Sequence, residues 1–119
     1  MNTREVGRLG EEAALRFLQK QGYRLITRNF YCPYGELDLI MQRGRQLVFV
    51  EVKARTSTRF GTPEEAISSQ KLRRLRQAIS CYLQQEAPPH YGLRLDVIAV
   101  DFEPHTYRVK ALRHYENIG

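Results

Sequence analysis

The sequence predicts a mixed α/β domain in which helices cover a central sheet. Two segments with apolar residues at three- and four-residue spacing alternate with runs of strand-forming residues, in the order αβββαββ. The chain has 119 residues, 42% hydrophobic and 27% charged, which suits one globular domain over residues 1–119. A domain of this size buries roughly two-thirds of its unfolded surface and needs no disulfide or zinc staple.

Each element has its own signal. Asn2 and Glu5 have the spacing of a capping box, and Val6, Leu9, Ala13, Ala14, Phe17 and Leu18 form an apolar stripe, so a helix is expected over 3–21, ending at Gly22. A strand follows from Tyr23 to Arg28 or on to Phe30, then a turn at Pro33 and Gly35. Glu36 to Met41 reads as a strand, Gly44 as a hairpin turn, and Gln46 to Lys53 as the strongest strand of the chain, β-branched and aromatic almost throughout. Arg55 to Thr62 is polar and basic, hence a loop. Thr62 and Glu65 cap a helix with Pro63 at its first position. That helix has a potential break at Ser68-Ser69 and carries Leu72, Leu75, Ile79, Tyr82 and Leu83 inward until Pro88-Pro89 ends it. Leu93 to Val100 is a strand, Asp101 to His105 a turn, and Tyr107 to Leu112 a last strand.

Composition narrows the function. No apolar run approaches the roughly 20 residues of a membrane span, and the first residues lack the apolar centre of a signal peptide, so a cytoplasmic location is expected. Cys32, Cys81 and the three histidines lack zinc-ligand spacing, and Cys81 reads as a small apolar residue on a helix. Of 19 cations, 15 are arginine, and the net charge is +6. Arginine grips phosphate with two prongs, so a polyanion, most simply nucleic acid, is the expected partner.

The chemistry is concentrated in charged residues within apolar strands. Strand alternation places Glu36 with Asp38, and Glu51 with Lys53; a two- or four-residue loop at Gly44 would bring both pairs to one side of the sheet. Asp38 and Glu51, helped by the Val52 carbonyl, suit a hard divalent cation, Mg²⁺ or Mn²⁺, and Lys53 would point at the same spot. Two acids and a lysine make a minimal phosphodiester-cleaving site. The competing reading is an ordinary cross-strand ion pair such as Glu36 with Lys53. Burying several carboxylates without a cation is costly, which favours the metal.

Gly35-Glu36-Leu37-Asp38-Leu39-Ile40, a spacer of twelve residues between Asp38 and Glu51, and Glu51-Val52-Lys53 resemble the PD-(D/E)-x-K nuclease core, with Leu37 where proline is usual. With Gly7-Arg8-Leu9-Gly10-Glu11, Phe60-Gly61 and Arg94-Leu95-Asp96-Val97, the chain resembles the YraN-like bacterial family over roughly residues 5–100. The resemblance implies a restriction-endonuclease-like αβββαβ core, similar to Holliday-junction resolvases, with an extra C-terminal strand. It also implies a metal-facing role for Glu11, because resolvases of this type carry such a glutamate on the first helix. Helical geometry sets Glu11 at the rim of the apolar stripe, where a glutamate reaching solvent is the competing reading. Glu12, four residues from Arg8 and Arg16, reads as an ion-pair residue. Gly7 and Gly10 weaken this helix unless close approach by a backbone or nucleic acid rewards them.

Further roles follow by position. Glu36 would bind metal through water, hold Lys53 or fix the turn. Gln70 opens the second helix near the site, with Lys71 the weaker candidate of the two. Asp96 is expected to play a supporting or structural part, and strand alternation makes Arg94 a poor partner for it. Arg55, Thr56, Ser57, Arg59 and Phe60 would meet phosphates, with Lys71 and Arg74 as a second basic group. No base-reading motif is present, so binding is expected to be structure-selective or nonspecific. The expected activity is metal-dependent hydrolysis of DNA phosphodiesters, in branched or damaged DNA among other forms. The alternatives are a nucleic-acid-binding module of the same fold without cleavage, or a subunit that docks another protein. A small site makes a homodimer attractive, and the resolvase resemblance suggests one.

Overall fold

The computed structural model describes residues 2–56 and 67–119. The elements run α1 (Thr3–Lys20), β1 (Arg24–Cys32), β2 (Gly35–Arg43), β3 (Gln46–Arg55), α2 (Ser69–Glu86), β4 (Gly92–Phe102) and β5 (Val109–Tyr115). The five strands form one sheet in sequence order. All neighbours are antiparallel except β3 and β4, which run parallel with α2 as their crossover. This mixed sheet with two helices is the αβββαββ arrangement that the sequence predicts.

Local chemistry explains the boundaries. The Asn2 side chain accepts from the Glu5 amide at 2.9 Å and starts α1. Gly44, at φ +59, turns the β2–β3 hairpin, and the pairing of Arg43 with Gln46 leaves a two-residue loop. Ser68 caps α2 by accepting from the Lys71 amide, so the expected break at Ser68-Ser69 is a helix start. The capping box at Thr62 and Pro63 lies outside the described residues. The last strand lies later than predicted, at 109–115, because the left-handed Tyr107 (φ 57) still belongs to the turn.

The sheet buries both faces. On one side α1 packs Ala14 and Leu18 against Leu39, Met41, Val48, Val50, Ile98 and Val100. On the other, α2 packs Leu75, Ala78 and Tyr82 against Ile40, Leu47, Phe49 and Leu95. Burial on two faces explains why β3 reads as a nearly continuous apolar run. Gly10 lets α1 sit close to the sheet, since a Cβ there would meet the Ala54 Cβ at 2.4 Å. Gly7 has nothing within 4 Å of the same position, so packing rewards only one of the two glycines.

Candidate metal centre

The acids gather where β2 and β3 stop pairing. Their ladder runs from the Gly44 turn to Leu39 opposite Val50, so Asp38 and Glu51 are the next positions in register. There the side chain replaces the ladder: Asp38 Oδ2 accepts from the Val52 amide at 2.8 Å. Alternation slips at this point, for Leu37 joins the α2-side core whereas Leu39 joins the α1-side core. The slip lets Glu36 and Asp38 reach toward α1. One carboxylate oxygen from each of Glu11, Glu36 and Asp38 lies within 4.8 Å of the others.

Asn29 organises this triad. It stands in β1 at φ 54, a left-handed conformation that asparagine tolerates better than most residues. Its Nδ2 donates to Glu11 Oε1 and to Glu36 Oε1, both at 2.9 Å. One amide thereby holds two carboxylates side by side.

Glu51 carries the other half of the site. It is 5% exposed. Its Oε1 meets Lys53 Nζ at 3.6 Å and Lys71 Nζ at 3.7 Å. Its Oε2 is buried and has no hydrogen-bond partner among the described residues. Burial pushes the Glu51 carboxyl pKa up, against the pull of Lys71 and Lys53. The Asp38 carboxyl is pushed up to about 8, first by burial and then by the charge of Glu51, despite the hydrogen bond from Val52. Glu11, Glu36 and Asp38 thus form one group held by Asn29 and the Val52 amide, and Glu51 beside Asp38 carries the two ammonium groups.

The matches to known sequences bear on the same residues. The model of the uncharacterised protein family UPF0102 matches residues 10–100. The chain belongs to the UPF0102 family. A UPF0102 protein of Pelotomaculum thermopropionicum is 47% identical over 112 residues, covering 94% of this chain and 92% of its own. One from Carboxydothermus hydrogenoformans is 37% identical over 118 residues, covering 99% and 98%. One from Neisseria gonorrhoeae is 45% identical over 95 residues, covering 80% and 83%. The UPF0102 match spans Glu11, Glu36, Asp38, Glu51, Lys53 and Lys71 together.

Several expectations for this UPF0102 chain need correction. Lys71 rather than Gln70 reaches Glu51, while Gln70 is exposed; Lys53 meets Glu51 and not Glu36, so the competing ion-pair reading is the one set aside. Glu12 pairs with Arg28 of β1 at 2.8 Å, across the helix–sheet junction and not along its own helix. Arg55 turns to Asp101, Nε to Oδ1 at 3.0 Å, which occupies a guanidinium expected to meet phosphate. Thr56 is half-buried beside it. Ser57, Arg59 and Phe60 lie outside the described residues. Arg74 is exposed and lines a small cleft with Lys71, Tyr34 and Glu36.

Asp96 sits at the centre of a polar clamp. It is fully buried and receives both prongs of Arg94 at 3.0 and 2.9 Å, the Asn117 amide at 2.9 Å and a contact from His114 Nε2 at 2.7 Å. Arg94 is therefore its principal partner. Residues 94 and 96 are two apart, so alternation places them on the same face, contrary to the expectation that it separates them. Sequence reasoning missed Asn29 altogether; its one visible signal is an asparagine inside a strand, where this residue type is disfavoured.

Proposed function

We propose that this protein is a divalent-metal-dependent nuclease that hydrolyses phosphodiesters in nucleic acid, with DNA, including branched or damaged DNA, as its substrate. The observation that carries the reading is the orphaned Glu51 Oε2, buried beside a second carboxyl whose pKa stands at about 8. Buried acids short of positive charge are a costly arrangement that a bound cation relieves. The donors are all oxygens, which fits Mg²⁺ or Mn²⁺ better than a softer metal. Asp38 and Glu51 would hold it, with Glu11 as a further ligand and Glu36 in support. A cation held there polarises a phosphate and lowers the pKa of a bound water.

The chain's own groups have separate tasks. Asn29 holds Glu11 and Glu36 side by side, where both would be available to a bound ion. Lys53, next to Glu51, supplies positive charge to a phosphoryl oxygen as negative charge develops there. Lys71 balances the charge of Glu51 and, with its ammonium 3.7 Å away, would be within reach of a substrate phosphate at the site. A cytoplasmic location is part of the proposal. No helix of the described residues is long and apolar enough to cross a membrane.

A binding module without cleavage is the second reading. It is favoured by Lys53 and Lys71 sharing one Glu51 oxygen, since they already supply part of the charge that a metal would bring. Titration calorimetry with Mg²⁺ and Mn²⁺, and a cleavage panel on linear, flapped and four-way DNA, test both. Wild type should bind the ion and cut; the Asp38→Asn, Glu51→Gln double variant should do neither. Equal ion affinity in the double variant would eliminate the site, and ion binding without any cutting would favour the binding module.

A further inference from the structure

A cleft of about 590 Å³ opens between the first turns of α1 and the β1–β2 hairpin, lined among others by Arg4, Gly7, Arg8, Arg28, Tyr31 and Glu36. It reaches the acids from the α1 side of the sheet, opposite Lys71 and Arg74. We propose that this cleft receives an unpaired segment of nucleic acid, a base stacking on Tyr31 and the flanking phosphates meeting Arg4 and Arg8. The inference rests on the nucleic-acid reading above and specifies the form of the substrate.

Three observations converge. Tyr31 is 70% exposed and belongs to neither core cluster, so its ring is displayed and not packed. Its hydroxyl bonds Glu36, with Arg4 also near, and an exposed aromatic so placed is a platform for unpaired bases, because every base offers a π-face. Second, Gly7 weakens the interior of α1, yet no neighbour would meet a Cβ there. A side chain at that position would instead project into the cleft that Gly7 lines. Third, the charges are graded. Arg4 and Arg8, one turn apart and exposed, leave the outer wall cationic, since Arg28 and Glu12, which also line the cleft, neutralise each other at 2.8 Å, while Glu11 and Glu36 lie beside Asp38. Phosphates are drawn to the rim and admitted to the acids only alongside a cation. The volume suits a nucleotide or two. Stacking on Tyr31 needs a base freed from its pair, which an intact duplex does not offer.

Fluorescence anisotropy with a short labelled single strand and a duplex of the same sequence, both in EDTA, tests the cleft without cleavage. Wild type should bind the single strand. Tyr31→Ala should weaken that binding about tenfold while changing duplex binding less than about twofold, and Tyr31→Phe should keep it. Gly7→Leu should weaken single-strand binding as well, with a melting temperature equal to or above wild type, which separates obstruction from misfolding. Replacing Arg4 and Arg8 with Gln should flatten the log–log salt dependence for the single strand by about 1.4. Single-strand affinity unchanged in Tyr31→Ala and Gly7→Leu, or equal losses on single strand and duplex, would overturn the proposal. So would wild type binding only duplex. A wild type that binds the single strand as expected but neither takes up Mg²⁺ nor cuts sinks the nuclease reading and leaves the cleft standing.

Discussion

Lys53 sits with its ammonium 3.6 Å from Glu51 rather than in a sheet-edge ion pair with Glu36. As a group that acts when charge develops at phosphorus, it matters after substrate has bound. Lys53→Ala should lower single-turnover cleavage by about a hundredfold or more and leave nucleic-acid affinity nearly unchanged. Ion affinity should stay level or rise, since a neighbouring positive charge repels the cation. Undiminished single-turnover cleavage would end the catalytic assignment. Asp38 supports a second prediction at this scale. Its carboxyl ionises near pH 8 in the folded protein against 3.8 for an ordinary aspartate, so the folded form keeps a proton that the unfolded chain releases between those values. Its contribution to stability is therefore fully present below about pH 4 and lost as pH rises through about 8. In EDTA, the melting temperature of wild type relative to Asp38→Asn should fall across that range. Saturating Mg²⁺ should reverse the trend, because the ion takes the ionised form. A wild-type-to-variant difference that is flat in pH would show that Asp38 is an ordinary carboxylate. That Asp38 and Glu51 stand opposite each other in register is legible in the sequence, because a two-residue turn at Gly44 fixes it. The slip that turns Asp38 and Glu36 toward α1 while Glu51 meets Lys71 of α2 is not, and it replaces the expected sharing of one side of the sheet. Asn29 and Lys71 are not legible: one depends on a left-handed backbone in mid-strand, the other on where a helix docks.

The packing of α1 on β3 is the element that sets the site's third acid. With 2.4 Å between the position of a Gly10 Cβ and the Ala54 Cβ, the helix has no slack at the residue before Glu11. Gly10→Ala should destabilise the fold by about 1–3 kcal/mol through overpacking, although alanine favours a helix. Adding Ala54→Gly should recover much of that loss, as urea unfolding midpoints would show; additive losses would mean that the two groups do not meet. The single variant should also weaken Mg²⁺ binding, because Glu11 moves with the helix. The sequence points to a reward for Gly7 and Gly10 without saying which kind belongs to which, since only the docked helix distinguishes packing from open space. Element identities are otherwise readable because their periodicities are strong. The last strand is the exception: residues of β5 are exposed or half-buried throughout, so its alternation carries little contrast and its ends slip by two or three residues.

At the scale of the molecule, the element order and the mixed sheet are legible, whereas the polar clamp around Asp96 is not. It joins Arg94, His114 and Asn117 from β4, β5 and the segment after β5, and through Arg94 reaches Tyr23 ahead of β1. No local pattern announces partners that far apart. The parallel seam between β3 and β4 has a consequence in time. β1, β2 and β3 meet through short hairpins, which close in microseconds. The seam pairs Gln46 with Gly92 and Arg55 with Asp101, and it cannot close until α2 has been laid across the sheet. In that interval β3, whose Val48, Phe49 and Val50 end up fully sheltered, has one edge unpaired. It offers a second unfinished chain the most adhesive edge of the protein. Crowding of nascent copies, more than the stability of the finished fold, is then the hazard for its yield, and slower synthesis or dilution during refolding is the remedy.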